Sequence, residues 1–176
     1  MRERQRKPRC PPPRNFSPAG YVEQPRLELQ QPQFIKPQRV TGARAAGMRY
    51  ERKVQRYLLD TFPHHYIASP WFTFVKNGGA KRIWCQPDGL LIDIKVGLIT
   101  IVEVKLRHTS DAWWQTRQLY LPVVQRLFGS LNWDYNILEI VRWYDADTLF
   151  PERYKLTPII GGLPVDKFGV HIWKPS

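Results

Sequence analysis

Twenty consecutive residues, Gln86 to Lys105, constrain this chain more than any other stretch. They read as two apolar strands joined by a turn at Lys95, Val96 and Gly97. Ile99, Ile101, Val102 and Val104 leave no polar face on the second strand. A strand apolar on both sides belongs inside a sheet that is covered on both faces. If Asp93 faces Leu98 across the turn, paired residue numbers keep a constant sum, and Asp88 faces Glu103. Cross-strand partners hold their Cβ atoms about 4.5–5.5 Å apart. Glu103 and Lys105 are two apart on one strand and share a face. The pattern therefore brings two carboxylates and an ammonium together near one end of a sheet. A slip of one residue would split the group.

These residue types have a chemical meaning in that setting. A carboxylate and a lysine beside an interior strand are costly unless paired or metal-bound. Two adjacent carboxylates repel, and a divalent cation relieves the repulsion. Oxygen ligands select a hard ion, Mg²⁺ or Mn²⁺. A lysine beside such an ion can position or deprotonate a water. Metal-activated water with a polarised phosphoryl oxygen outlines phosphodiester hydrolysis. The plainer alternative makes Asp88-Gly89 a turn and Glu103 and Lys105 a surface pair on an edge strand. The apolar flanks oppose an edge position. Asp93 is a rival acid, but it sits close to the turn, where a solvated acid is expected.

The surrounding chain supplies the remaining elements. Thr41 can cap a helix from Gly42 to about Thr61, with Ala45, Met48, Tyr50, Val54, Tyr57 and Leu58 at near-helical spacing. Arg44, Arg49, Arg52, Lys53 and Arg56 cover much of the rest of it, and Glu51 is the one acid among these bases. Tyr66 to Val75 reads as one strand. His64-His65 lacks a nearby third ligand and reads as a loop or a DNA-edge contact. A second helix is expected from about Ser110 or Asp111 to Phe128, kinked at Pro122 and stopped by Gly129. Strands follow at Asn136 to Tyr144 and Phe168 to Trp173, while Thr148 to Leu156 is ambiguous. The order helix, strand, strand, strand, helix, strand implies an α/β fold with a mixed sheet flanked by helices.

Charge adds a partner class. The formal net charge is +12, with a pI near 10.0. Such a surface attracts polyanions, nucleic acid first and an acidic membrane second. No apolar run is long enough to cross a bilayer. Residues 1–40 hold eight of the sixteen prolines, and nine Lys/Arg against three Glu carry half of the net charge. That composition reads as an extended basic arm without regular structure, either a phosphate-contacting tail or a linker that docks to a partner. It has no apolar core of a secretory signal. Cys10 and Cys85 lack metal-ligand spacing, which suggests a reducing compartment. The chain divides into the arm (1–40), a core (41–145) and a C-terminal extension packed on it (146–176). Trp84 and Trp113-Trp114 are candidates for stacking on unpaired bases, with core packing as their commoner fate.

Pro87-Asp88, then fourteen residues, then Glu103-Val104-Lys105 resembles the PD-(D/E)xK nuclease superfamily. That family includes restriction enzymes, Holliday junction resolvases, RecB-like and lambda-type exonucleases, and phage or transposon nucleases. The resemblance covers roughly residues 42–144. It implies a restriction-endonuclease-like α-β-β-β-α-β core. It implies that Asp88, Glu103 and the carbonyl of Val104 ligate Mg²⁺ or Mn²⁺, and that Lys105 orients the attacking water. Glu51 matches the first-helix glutamate that many members use as a further metal-site acid. Some members place a glutamine from the following helix near the site; Gln115 and Gln118 are both candidates, with Gln115 preferred. RecB-like members pair it with a tyrosine four residues later, whereas Tyr120 lies five from Gln115.

The implied activity is a metal-dependent deoxyribonuclease, an endonuclease acting on DNA and open to structure specificity. Arg44, Arg49, Arg52, Lys53, Arg107 and His108 would contact the nucleic acid. The alternatives are a nucleic-acid-binding module without catalysis on the same core, and a structural basic protein of a phage particle. The arm would then serve phage or mobile-element assembly proteins. A cytoplasmic setting is expected, the host's if phage-encoded, with virion association as a variant. Many members dimerise to cut two strands, which brings a homodimer into view.

Overall fold

The computed structural model describes residues 22–35, 40–76, 79–107, 112, 115–129, 132–143, 155–156 and 168–172. Within them the elements run β1 (Val22–Glu28), α1 (Gly42–Thr61), β2 (Tyr66–Ala68), β3 (Trp71–Lys76), β4 (Arg82–Cys85), β5 (Gly89–Asp93) and β6 (Leu98–Arg107). A π-helical turn, Thr116–Tyr120, then runs directly into α2 (Leu121–Phe128). β7 (Asp134–Trp143), β8 (Lys155–Leu156) and β9 (Phe168–Ile172) complete the order. The fold is mixed α/β, with two sheets and two helices among the described residues.

The larger sheet has the order β2-β5-β6-β7-β9-β8. β2, β5 and β6 are antiparallel, and β6, β7, β9 and β8 run parallel. β6 is therefore interior, as its two apolar faces require. Ile99 and Ile101 enter a core shared with Leu119, Tyr120, Val123 and Val124 from the π turn and α2. Val102 and Val104 enter a second core with Leu138 and Ile140 beneath Tyr50, Val54 and Leu58 of α1. Alternation along one strand thus feeds two helices, one on each face. The smaller sheet, β1-β3-β4, is antiparallel and joins the first of these cores through Val22, Phe72, Phe74 and Cys85.

The central hairpin keeps the expected register. Asp93 pairs with Leu98, Ile92 with Ile99, and so on to Gly89 with Val102. One step further sets Asp88 opposite Glu103. The loop is Ile94 to Gly97, with Gly97 at φ +68°. The Asp93 carboxylate accepts the amides of Lys95 at 3.0 Å and Val96 at 3.4 Å. Asp93 is thereby a turn-forming residue.

Several expectations change. Val22–Glu28 form a strand, although the first forty residues read as lacking regular structure. Pro25 is tolerated because β1 is an edge strand whose register shifts between Glu23 and Arg26, with Gln24 at φ 49°. An edge bulge is where a missing amide costs least. Residues 1–21 of the expected arm lie outside the described residues. The expected single strand over 66–75 breaks at Ser69-Pro70 and crosses from the larger sheet to the smaller. Ser69 sits at φ 45°, which re-aims the chain. Pro122 is accommodated by the π turn preceding it, where the Leu121 amide reaches back five residues to the carbonyl of Thr116. Thr41 stands at the cap of α1 without a side-chain capping bond. The ambiguous stretch contributes β8, which with β9 extends the larger sheet beyond β7.

Gly89 abuts the Tyr66 ring so closely that a Cβ there would overlap Tyr66 Cε2, Cζ and the hydroxyl. Gly89→Ala is expected to displace that ring and lower stability by about 1–3 kcal/mol in urea unfolding. An unchanged midpoint would contradict this packing.

Candidate active site

Three elements converge on Asp88, which immediately precedes β5. Its Oδ2 accepts the amide of Val104 at 2.6 Å. Its carbonyl accepts three donors: the Ser69 amide at 3.0 Å, the Tyr66 hydroxyl at 3.1 Å and the Gln55 side-chain amide at 3.2 Å. The left-handed Ser69 is thus part of the cradle that fixes Asp88. Gln86, two residues earlier, donates to the Ser69 carbonyl at 2.9 Å and accepts the Tyr120 hydroxyl on its own carbonyl at 2.8 Å.

Glu103 is 2% exposed, in the middle of the sheet. Lys105 forms an ion pair with its Oε1. Its Oε2 is buried and has no hydrogen-bond partner among the described residues. The hairpin register and the Asp88 bond to Val104 set the two acids side by side, as expected from the sequence. Burial pushes Glu103 up to about 8, helped by the negative charges of Asp88 and Glu139 and opposed by Lys105. Asp88 is also raised by burial, against the Val104 amide and Lys105. Burial disfavours the Lys105 ammonium, but Glu103, Asp88 and Glu139 outweigh it and hold the lysine protonated.

Glu51 lies on α1 near Asp88 and Lys105. Burial and the Asp88 charge push it up to about 7, while Lys105, Arg52 and the Gln55 bond pull down. Gln55, one turn on, donates to Glu51 Oε1 at 3.2 Å and to Ser69 Oγ at 2.6 Å, tying the helix to the cradle. Among the described residues, no three His, Cys, Asp or Glu side chains cluster closely enough to hold a metal ion. The carboxylates at the centre are the pair Asp88 and Glu103, with Glu51 standing beside them. An orphaned, buried carboxylate oxygen next to a second acid fits a hard divalent cation, and Val104 offers a main-chain carbonyl between Glu103 and Lys105.

Gln115 donates to the Tyr120 hydroxyl at 2.5 Å. The five-residue separation is bridged because the intervening turn is π-helical and stacks positions i and i+5. Glu103 and Asp88 lie close enough to Tyr120 to reinforce burial in raising its hydroxyl. Gln118 Oε1 is buried and has no hydrogen-bond partner among the described residues.

Sequence reasoning missed Glu139. It is fully buried and pairs with Glu103 across the parallel ladder of β6 and β7. The signal was available: one acid inside the run Ile137-Leu138-Glu139-Ile140-Val141. Gln55 and Tyr66 were missed as well, and no sequence signal marks them.

Of the expected nucleic-acid contacts, Arg44, Arg49, Arg52 and Lys53 are exposed on α1, and Arg107 is exposed at the end of β6. His108, Trp113 and Trp114 lie outside the described residues. Trp84 packs edge-on against Phe34 and Trp71, with centroids 5.6 and 6.5 Å apart. His65 Nδ1 lies 3.0 Å from the carbonyl of Ile92, a structural bond in a loop. Cys85 is buried; Cys10 lies outside the described residues. No described helix is long and apolar enough to cross a membrane. No family model, curated protein or solved structure matches this chain.

Asp88, Glu103 and Glu51 all hold protons more tightly than ordinary carboxylates. The folded state therefore binds more protons than the unfolded one from the ordinary carboxylate range up to about pH 8, so stability falls as pH rises through that window. Metal-free protein in EDTA is expected to melt progressively lower from pH 5 to 8.5, and Glu103→Gln to flatten the trend. A melting temperature that rises across this window would contradict the assignment.

Proposed function

We propose that this chain is a Mg²⁺- or Mn²⁺-dependent endodeoxyribonuclease of the PD-(D/E)xK type. In this reading α1, β2, β5, β6, the π turn with α2, and β7 trace the α-β-β-β-α-β core, with β3 and β4 interposed as a second sheet. The observation that carries it is the Asp88 carboxylate seated on the Val104 amide, between Glu103 and Lys105 of an interior strand. Such acids are expensive to bury, and the pairing leaves one carboxylate oxygen without a partner among the described residues.

Asp88, Glu103 and the Val104 carbonyl would hold the ion, with Glu51 as a further acid beside them. A bound divalent cation would polarise a phosphoryl oxygen and lower the pKa of a water. Lys105 is held protonated by its acidic neighbours, so it acts as a hydrogen-bond donor. It orients the attacking water and stabilises charge on the phosphoryl oxygens as the water oxygen bonds to phosphorus and the sugar oxygen leaves. Gln115 and Tyr120 hold the Gln86 main chain and, through it, the approach to Asp88. The exposed bases of α1 supply sequence-independent affinity for the backbone.

Asp88→Asn, Glu103→Gln and Lys105→Gln are each expected to cut plasmid DNA at least about 100-fold more slowly in Mg²⁺. Their affinity for DNA in EDTA should stay close to that of the parent. Supercoiled, linear, nicked, four-way-junction and single-stranded substrates would define the preferred structure. Cleavage undiminished in all three variants would refute the assignment. Salt-sensitive binding by the parent with no metal-dependent product would replace it with a binding module.

A further inference from the structure

We infer that a basic cavity between α1 and the C-terminal end of β7 is a phosphate-binding site, and that it takes a phosphate group of the bound nucleic acid. This rests on the nucleic-acid part of the proposed function and not on cleavage. The cavity has a volume of about 170 Å³ and is lined by Ala46, Arg49, Tyr50, Lys53 and Arg142. That is several times the ~30 Å³ occupied by one liquid water, enough for a phosphate and a few waters.

The lining is built by two periodicities. Ala46, Arg49, Tyr50 and Lys53 are spaced as one stripe of a helix. Leu138, Ile140 and Arg142 alternate along β7, so Arg142 follows two residues that pack under α1. Where the apolar contact between helix and sheet ends, a guanidinium takes over. Burial raises the Tyr50 hydroxyl while Arg142 pulls it down, which places the guanidinium near that hydroxyl. Arg142 is half-buried, and Tyr50 is 2% exposed. Among the described residues, the lining side chains that carry charge are Arg49, Lys53 and Arg142. Three cations around a concave space, two of them guanidinium forks, match a tetrahedral oxyanion.

Position also favours a nucleic-acid phosphate over a free anion. Lys105 pairs with Val141, so Arg142 lies one residue beyond the row of the candidate active site, at the same end of the sheet. Glu51 approaches that site from the helical turn that carries Arg49 and Lys53. A helix with its side chains is about 10–12 Å across. A strand rising ~3.4 Å per nucleotide covers that distance in about three steps. Arg142 takes the α1 face of the sheet and Glu103 and Lys105 the other, with Glu51 of α1 reaching toward them. A strand passing the end of the sheet would therefore meet the acids with one phosphate and this cavity with another.

The test is duplex binding in EDTA, followed by fluorescence anisotropy over a salt series, with 5′-phosphorylated and 5′-hydroxyl ends compared. Arg142→Gln and Lys53→Gln are each expected to weaken binding about tenfold and to reduce the salt slope by about one. Arg126→Gln, an exposed base on α2, should change affinity less than about twofold. A loss confined to the 5′-phosphorylated duplex assigns a terminal monoester, and an equal loss on both assigns a backbone phosphodiester; either supports the site. Parental affinity and slope in both variants would overturn it. So would equal losses in the Arg126 variant, which would mean diffuse charge, or a parent that does not bind DNA. Lys53 is exposed and its variant reads the site even where Arg142→Gln disturbs folding. A protein that binds but does not cut would leave this inference standing and remove the nuclease assignment alone.

Discussion

A carboxylate in the middle of an interior strand costs several kcal/mol unless its surroundings compensate it. Glu103 is such a group, and much of the local structure answers to it. Lys105, two residues on, takes one of its oxygens in an ion pair. Asp88 and Glu139 flank it and make its charge harder to hold. Replacing a buried ion pair by apolar residues of similar size is often neutral or stabilising. The residues around Glu103 and Glu139 are otherwise mostly Ile, Val and Leu, and under the proposed function the acids set among them would serve a ligand. The same low-dielectric setting that makes them costly would make them strong partners for a cation.

The rest of the fold holds the second acid beside the first. Asp88 lies at a crossing of three elements, and its carbonyl is held by donors from α1, β2 and the Ser69 bend. The strand break at Ser69-Pro70 sends β3 into the smaller sheet and leaves the Ser69 amide and hydroxyl facing the cradle. The π turn before α2 brings Tyr120 onto Gln86 and Gln115 onto Tyr120. A strained serine and a π-helical turn each carry a local cost, and both are found where they position Asp88.

The hairpin was legible in the sequence because its two constraints agree. Apolar alternation sets the faces, and the short turn sets the register, so the pairing of Asp88 with Glu103 followed from counting. The bounds of α1 were legible for a similar reason, since Thr41 and Pro63 bracket a clear helical stripe. The break of the expected strand at Ser69 was not, because the aromatic and β-branched pattern continues through Pro70 and nothing local marks a change of sheet. The strand over Val22–Glu28 was hidden by its proline, which an edge bulge absorbs. The pairing of Gln115 with Tyr120 was hidden by an assumed α-helical spacing. Glu139 was visible as a lone acid in an apolar run, but its partner lies in another strand, and a parallel register is not set by a turn.

The central claim is that Asp88 and Glu103 jointly hold one divalent cation. Titration of the metal-free protein with Mn²⁺, followed by loss of the free-ion electron paramagnetic resonance signal, tests it most directly. The account predicts saturable uptake by the parent, competed by Mg²⁺, and at least about tenfold weaker uptake in both Asp88→Asn and Glu103→Gln. Uptake unchanged in either variant, or no saturable uptake by the parent, would contradict it.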